Sequence, residues 1–294
     1  MILVVGSTGI LGSEIVRQLR AENRSVKALV RETSNPEKVE RLKSFGATLV
    51  VGDLTDKPSL AAVCQGVTTV ITTATTTASQ TPGDSIPKVD QFGTLQLVEA
   101  AMGAAVSQFI YISTRTTIPD CPLNTAKRTV EERLIGSRMA YTILRPSFFM
   151  EIWLSPFLGF NYLNAEARLY GSGENAISWI SFVDVARFTV MALDHPAARN
   201  AILELGGPEK RSPNQVVRIF EETTGKSFRV DYVPVEELQA QREAAADPLQ
   251  QTFASLMLAY ANGDPVDMWE TLERFPVELT SITDYATQVA SASR

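Results

Sequence analysis

Cysteine, histidine and long apolar runs are what this sequence has least of. Its two cysteines, Cys64 and Cys121, are too few for a disulfide framework and have no neighbours at metal-ligand spacing, so both read as free thiols and no metal centre is expected. The single histidine, His195, lies in an Asp-His-Pro sequence after a helical stretch, where it reads either as a helix-end or turn residue or as a catalytic base. No apolar run approaches the roughly 18 residues that cross a bilayer. The first strand begins at residue 2, with no room before it for a signal peptide, which points to a cytoplasmic protein without a membrane segment. A net charge of −6 and a pI near 5.1 offer no basic surface for nucleic acid.

What is present is a chain of 294 residues, 45% hydrophobic and 20% charged, enough for a large core in one elaborated α/β domain or two intimate lobes. Its organising stretch comes first. The apolar run Ile2 to Val5 stops at Gly6, and beyond Gly9 and Gly12 the residues Ile10, Leu11, Ile15, Val16 and Leu19 recur at helical spacing. This is a strand, a tight turn and a helix. Gly6 suits the sharp turn, Gly9 lets a ligand approach the main chain, and Gly12 lets the helix lie close on the strand. The free amides and positive dipole end at that helix start suit a pyrophosphate, so the turn predicts dinucleotide binding.

A second strand, Ser25 to Val30, ends at Arg31, nineteen positions after Gly12. An acid at about that distance binds the ribose hydroxyls of NAD, whereas a cation pairs with the 2′-phosphate of NADP. Arg31, with Thr33 and Ser34 as further donors and Glu32 the one acidic neighbour, favours NADP(H). A third strand, Thr48 to Val51, leads to Gly52-Asp53-Leu54, where Asp53 either meets the adenine amino group or caps the turn, and Leu54 would cover the ring. The fourth strand, Val67 to Thr72, ends in a threonine-rich run to Thr77, whose small residues suit passage of a ribose, although threonine also favours strands in general.

A loop from Ser79 to Pro87 is a candidate lid, a long helix is expected from Val89 to Met102, and a fifth strand from Gln108 to Ile112. Strand and helix alternate throughout. The pattern predicts a Rossmann-type doubly wound parallel sheet of order 3-2-1-4-5-6, with residues 1–150 as the cofactor-binding core and 151–294 as a smaller, interleaved α/β lobe for substrate or lid.

With Gly6-x-x-Gly9-x-x-Gly12, Leu-Val-Arg31, Gly-Asp-Leu54, Ile-Ser-Thr114, Thr-Ala-Lys127-x-x-x-Glu131, Leu-Arg-Pro146-Ser-Phe-Phe149 and the later Ile177-Ser-Trp-Ile-Ser-Phe-Val-Asp184-Val-Ala-Arg187, the chain resembles the NmrA-like atypical short-chain dehydrogenase/reductases from residue 1 to about residue 235. That group includes quinone and isoflavone-type reductases as well as regulators that bind cofactor without turnover. The resemblance implies Gly6, Thr8, Gly9, Ile10 and Leu11 around the pyrophosphate, with Gly12 completing the turn, and Arg31 at the 2′-phosphate. It implies Asp53 and Leu54 near adenine, Thr73, Ala74 and Thr75 near ribose, Lys127 on the nicotinamide ribose, and Pro146, Ser147 and Phe148 along the nicotinamide.

In typical short-chain dehydrogenases a tyrosine four residues before the lysine protonates the carbonyl oxygen; here that residue is Leu123. Three routes remain: Lys127 relays the proton, Tyr111 or Tyr162 reaches in, or the acceptor needs no strong acid, as with a quinone. Lys127 otherwise reads as a surface lysine pairing with Glu131 on a polar helix face that also holds Arg128 and Glu132. Ser113 and Thr114 are either hydrogen-bond donors to carboxamide or substrate, or turn caps. Arg115 either binds an anionic substrate or is solvated.

After a sixth strand, Tyr141 to Leu144, the segment Phe148 to Tyr162 is the densest in aromatics, with Phe149, Met150, Trp153, Phe157 and Phe160 between. It forms either an apolar substrate pocket or the core of the second lobe. A strand is expected over Ile177 to Phe182, Asp184 as the N-cap of the next helix, and one amphipathic helix from Val235 to Ala261 with Leu249, Phe253, Leu256 and Leu258 buried as lid or dimer face. The expected activity is NADPH-dependent reduction of a small hydrophobic quinone, enone or carbonyl by a monomer or homodimer. The alternative is a non-catalytic NADP(H)-binding regulator or assembly factor; a sugar-nucleotide epimerase, the third reading, also needs the missing tyrosine.

Overall fold

The computed structural model describes residues 1–77, 81–115 and 117–292; the beginning of the expected Ser79 loop lies outside them. In its first part strands and helices alternate: β1 (Ile2–Val5), α1 (Ile10–Ala21), β2 (Val26–Val30), α2 (Pro36–Ser44), β3 (Thr48–Val51), α3 (Lys57–Val63) and β4 (Thr69–Thr72). A π-helical segment, Ile86–Gly93, then runs into α4 (Thr94–Gly103), followed by β5 (Gln108–Ile112), α5 (Pro122–Ile135) and β6 (Ala140–Pro146). The helix expected from Val89 therefore begins three residues earlier and is wound more widely at its start.

These strands make a seven-stranded sheet of order β3-β2-β1-β4-β5-β6, with a later strand, Ala201–Leu205, beside β6. The pairs β1–β2, β1–β4, β2–β3, β4–β5 and β5–β6 are all parallel. Strands covered on both faces are apolar along most of their length: all four residues of β1 are buried, as are all five of β5, where Gln108 satisfies its side-chain amide by donating to Ala192 O at 3.0 Å. In α1 the buried Leu11, Ile15, Val16 and Leu19 form the stripe that the sequence period requires. The doubly wound Rossmann-type sheet is thus present in the expected order, with one strand more.

Beyond β6 come α6 (Met150–Trp153), β7 (Phe160–Asn161), β8 (Glu166–Tyr170), α7 (Phe182–Met191), β9 (Ala201–Leu205), α8 (Pro213–Thr224), β10 (Arg229–Val233), α9 (Val235–Ala244), α10 (Pro248–Asn262), α11 (Trp269–Arg274) and α12 (Ile282–Ala292). A second, three-stranded sheet has the order β10-β8-β7, β10 parallel and β7 antiparallel to β8. The chain divides into two compact units. One comprises Met1–Ser113, Pro122–Arg145 and Ala186–Leu203; the other comprises Thr114–Cys121, Pro146–Val185 and Glu204–Arg294.

Three expectations change. Ile177 to Phe182 is not a strand but forms single bridges, Ile177 with Arg211 and Asp264 and Ile180 with Phe149, because each residue meets a different neighbour. Strands β7 and β8, too short or too mixed in polarity to announce themselves, are additional. The helix expected over 235–261 is two: Asp247 accepts from the Leu249 and Gln250 amides at 2.8 and 2.9 Å and Pro248 starts a new helix. On α10 the buried side holds Thr252, Ala254, Ser255 and Leu258, while Leu249 is exposed.

Candidate functional site

The chain leaves β1 at Gly6 with φ +79°, and Gly9 closes the turn by donating its amide to the Gly6 carbonyl at 3.0 Å. A β-carbon on Gly12 would stand 2.2 Å from the Gly6 oxygen and 2.8 Å from its carbonyl carbon, so only glycine lets α1 start this close to β1. The buried Ser7 hydroxyl donates to Leu29 O at 2.6 Å and Thr73 Oγ1 to Gly6 O at 3.3 Å, tying the turn to β2 and to the end of β4. Helix α1 has no side-chain cap, Gly9 is exposed and Ile10 is 58% exposed, while Leu11 turns into the core and Thr8 is half-buried. No side chain caps the first amides of α1, and a helix start without a cap attracts an anion.

Arg31 follows β2. Its backbone amide donates to Ser34 Oγ at 2.9 Å, while its guanidinium reaches Asp84 Oδ2 through Nη1 at 2.8 Å and Thr81 Oγ1 through Nη2 at 2.9 Å. Asp53 Oδ1 accepts from both the amide and the hydroxyl of Thr55 at 2.7 Å, the turn-capping arrangement left open by the sequence. Leu54 is buried in the core, close to the backbone of Gly93. Thr75 pairs its hydroxyl with that of Thr77 at 3.2 Å.

Lys127 is not on a polar surface. It is 4% exposed on the inner face of α5, along with Ala126, Val130 and Leu134, and its Nζ donates to Ile112 O at 3.4 Å and Ala74 O at 3.5 Å. Asp90 Oδ1 lies 3.6 Å from that nitrogen and the Tyr111 ring centre 5.1 Å away. Burial pulls the lysine below its ordinary value; the Asp90 charge opposes the shift without cancelling it. Tyr111 is pushed well above the ordinary phenol range, first by burial and then by Asp90, so its hydroxyl stays protonated. The Tyr111 hydroxyl and Asp90 Oδ1 are buried without a hydrogen-bond partner among the described residues. Asp90 Oδ2 is satisfied by the amide and hydroxyl of Thr76 at 3.0 and 2.6 Å.

Glu131 does not pair with Lys127. It takes Arg128 and Arg145 instead, the latter at 3.1 Å through Nε, and although burial alone would raise its carboxyl, these cations, Arg145 foremost, hold it below the ordinary range. Asp90 and Thr76 were missed by motif reasoning. The available signal was register: Asp90, Thr94, Leu97 and Ala101 recur at helical spacing, and all four are buried. Ser113, directly after β5, is buried and donates its amide to Leu144 O at 2.8 Å.

In the other unit Pro146 ends β6, Ser147 donates its amide to Leu205 O at 2.7 Å, and Phe148 is buried among Trp153, Trp179 and Tyr260, with ring centres 4.8 to 6.3 Å away. Trp153 stacks on Tyr260 at 5.4 Å and Phe149 lies 4.1 Å from Phe182, both half-buried, as is Thr114. Phe160 and Tyr162 pack on Phe220, and Phe157 is exposed, so much of this aromatic segment is the second unit's core.

Arg115 is neither solvated nor open to an anion: it is buried, paired with Glu204, and its Nε meets Asp264 Oδ1 at 3.0 Å. Asp184 is not the expected N-cap. Helix α7 begins two residues earlier, where Ser181 accepts from the Val183 amide at 3.1 Å and Glu151 accepts from the Ser181 hydroxyl at 2.5 Å and the Phe182 amide at 3.1 Å; burial raises the Glu151 carboxyl, partly offset by the hydrogen bonds it accepts, Ser181 first. Asp184 is fully buried and accepts from the amide and hydroxyl of Thr280 at 2.8 and 3.0 Å. Asp184→Ala is expected to cost about 2 kcal/mol in urea unfolding by stranding both donors; a loss near zero would mean that water replaces the carboxylate. His195 is a turn residue, its Nδ1 accepting from the Ala197 amide at 3.3 Å.

Among the described residues no cluster of metal ligands occurs, and no helix is long and apolar enough to cross a membrane. The chain is 30% identical to an NAD(P)H azoreductase of Xenophilus azovorans over 87% of its own length and 85% of the relative's. It is 29% identical to a photosystem II assembly factor of Synechocystis over 97% and 89%. Its fold matches the NADPH-dependent quinone oxidoreductase of Escherichia coli, solved with NADPH, at a TM-score of 0.78 and 20% identity over 98% of this chain and 99% of that one. The profile of the NmrA-like family matches residues 1–286, and with the glycine turn and sheet order described above, the chain belongs to that family.

Proposed function

We propose that the chain is an NADPH-dependent oxidoreductase that reduces a small hydrophobic quinone, enone or carbonyl compound. The observation that carries this reading is the open glycine turn, an uncapped helix start following a strand paired in parallel on both sides. The azoreductase relative and the fold shared with a quinone oxidoreductase support it. Residues 1–150 act as the cofactor-binding core and 151–294 as the lobe that sets acceptor choice.

In this reading Gly6, Thr8, Gly9, Ile10, Leu11 and Gly12 hold the pyrophosphate and Arg31 the 2′-phosphate. Asp53 and Leu54 serve adenine, Thr73 to Thr75 the ribose, and Ser113, Pro146, Ser147 and Phe148 the nicotinamide. Thr114, Phe149 and Trp153 meet the acceptor. Bound NADPH supplies the reducing hydride. Lys127 holds the nicotinamide ribose through Nζ, and Asp90 beside it opposes the loss of its charge on burial. Leu123, buried on α5, brings no proton to that place, and Tyr111 keeps its own. A quinone suits such a site, because its reduced oxygen is delocalised and weakly basic and orientation is most of what it needs.

The second reading, a regulator or assembly factor that responds to NADP(H) occupancy, is favoured by Leu123 in place of the usual tyrosine and by the likeness to the photosystem II assembly factor. The test follows the near-ultraviolet absorbance of NADPH, with NADH in parallel, across quinones, enones and aldehydes. Acceptor-dependent oxidation supports the enzyme, and tight binding without oxidation the regulator. Arg31→Ala should weaken NADPH about 30-fold and leave NADH within about twofold; equal losses for both would remove Arg31 from the 2′-phosphate.

A further inference from the structure

The two groups that Arg31 already holds belong to one turn. Thr81-Pro82-Gly83-Asp84 is a β-turn in which the Asp84 amide donates to Thr81 O at 3.2 Å, Pro82 fills the second position, and Gly83 takes the third with φ +84°. That is the residue order of a type II turn, which proline and glycine preset before any partner arrives. Its first and last residues supply Thr81 Oγ1 and Asp84 Oδ2, one to each terminal nitrogen of Arg31, at 2.9 and 2.8 Å. Lys88 Nζ holds Gly83 O at 3.0 Å, which fastens the turn to the π-helical segment behind it. A hydroxyl and a carboxylate oxygen on adjacent guanidinium nitrogens match what two oxygens of a phosphate would offer. Asp84 keeps only 14% of its side chain exposed and Arg31 32%, so water screens the pair only in part.

We propose that Asp84 is an internal stand-in for the cofactor's 2′-phosphate and narrows the preference for NADPH over NADH. The inference rests on the reading that Arg31 receives that phosphate. A 2′-phosphate carries nearly two negative charges at neutral pH, and two of its oxygens on Arg31 Nη1 and Nη2 would take the nitrogens that Asp84 and Thr81 now occupy, so its binding there displaces Asp84. A 2′-hydroxyl is neutral. It leaves the Arg31–Asp84 pair intact and can donate a hydrogen bond to the same carboxylate. Asp84 thus opposes the phosphorylated cofactor and tolerates or assists the other, which gives a chain with an arginine at this position a measurable affinity for NADH.

The test uses the full chain and calorimetric titration with 2′,5′-ADP and 5′-AMP, which differ only in the phosphate. Asp84→Asn should tighten 2′,5′-ADP by about tenfold and leave 5′-AMP within about twofold, so that the ratio of the two affinities widens by about an order of magnitude. Competition acts through Arg31, so in an Arg31→Ala background the same Asp84→Asn change should gain less than about twofold. A wild-type ratio unmoved by Asp84→Asn overturns the inference while leaving the Arg31 assignment intact. So does an equal gain in the Arg31→Ala background, which would mark simple charge repulsion rather than competition. If Arg31→Ala alone leaves the wild-type ratio unchanged, the assignment of the 2′-phosphate fails and the inference falls with it.

Discussion

Gly12→Ala is expected to destabilise the chain by about 3 kcal/mol, whereas Gly9→Ala, three residues away, should change stability by less than about 0.5 kcal/mol. The difference lies in what each new β-carbon meets. At Gly12 it falls 2.2 Å from Gly6 O, 2.8 Å from Gly6 C and 2.9 Å from Thr73 Oγ1, and two of these three are backbone atoms that cannot rotate away. Helix α1 would have to lift from β1, loosening Leu11, Ile15 and Leu19 from the core in a close-packed interior that tolerates little added volume. At Gly9 the backbone is extended, with φ −75° and ψ 167°, and the added carbon meets only Gly6 O at 3.3 Å. Its exposed side is the side on which a pyrophosphate would approach. Gly9→Ala should therefore keep the native melting temperature while weakening NADPH by about tenfold or more, measured by thermal denaturation and titration on the same preparation. A Gly9→Ala variant that binds NADPH as tightly as the native chain would remove the pyrophosphate from this turn.

The same glycine turn shows why part of the fold was legible in the sequence. Local rules suffice where one chain segment fixes its own geometry: a buried run, a glycine that reverses it, and apolar residues at helical spacing lead to β1 and α1, and the repetition of that unit leads to the sheet order from β3 to β6. The rules lose their grip where a partner is distant. Arg115 finds Asp264 across 149 positions and Asp184 finds Thr280 across 96, and nothing in the neighbourhood of any of these residues announces the pairing. Lys127 and Glu131 show a subtler limit. Four apart on a helix, they have the spacing of a surface pair, yet both lie on the buried face, and each takes partners from elsewhere: Asp90 for the lysine, Arg128 and Arg145 for the glutamate. Spacing defines which residues share a face, but burial is decided by what that face packs on. The aromatic segment from Phe148 behaves likewise, because a ring suited to a pocket is equally suited to a core.

Asp90→Asn is expected to cost about 3 kcal/mol at neutral pH, and Lys127→Met a similar amount, although each keeps the shape of the residue it replaces. The asparagine amide oxygen can still accept from Thr76, so the first substitution removes the charge rather than the hydrogen bonds and leaves the Lys127 ammonium buried without a counter-ion. Lys127 already lies below its ordinary 10.5 because burial outweighs the Asp90 charge, and losing that charge lowers it further. Between a lowered folded value and 10.5 the unfolded chain binds the extra proton, so stability rises with pH across that window. In Asp90→Asn the window opens at lower pH, and the deficit against the native chain should shrink steadily as pH is raised. A deficit that stays constant from about pH 6 to pH 9 would mean that lost packing, not an unpaired lysine, is responsible. The double variant separates the same two explanations at one pH: with both charges gone it should be more stable than either single variant by at least about 1 kcal/mol, whereas independent packing losses would add. In the role proposed for Lys127 on the nicotinamide ribose, the Asp90 charge beside it would reach the cofactor. Asp90→Asn should lower the pH at which NADPH affinity falls off, and Lys127→Met should remove that pH dependence altogether.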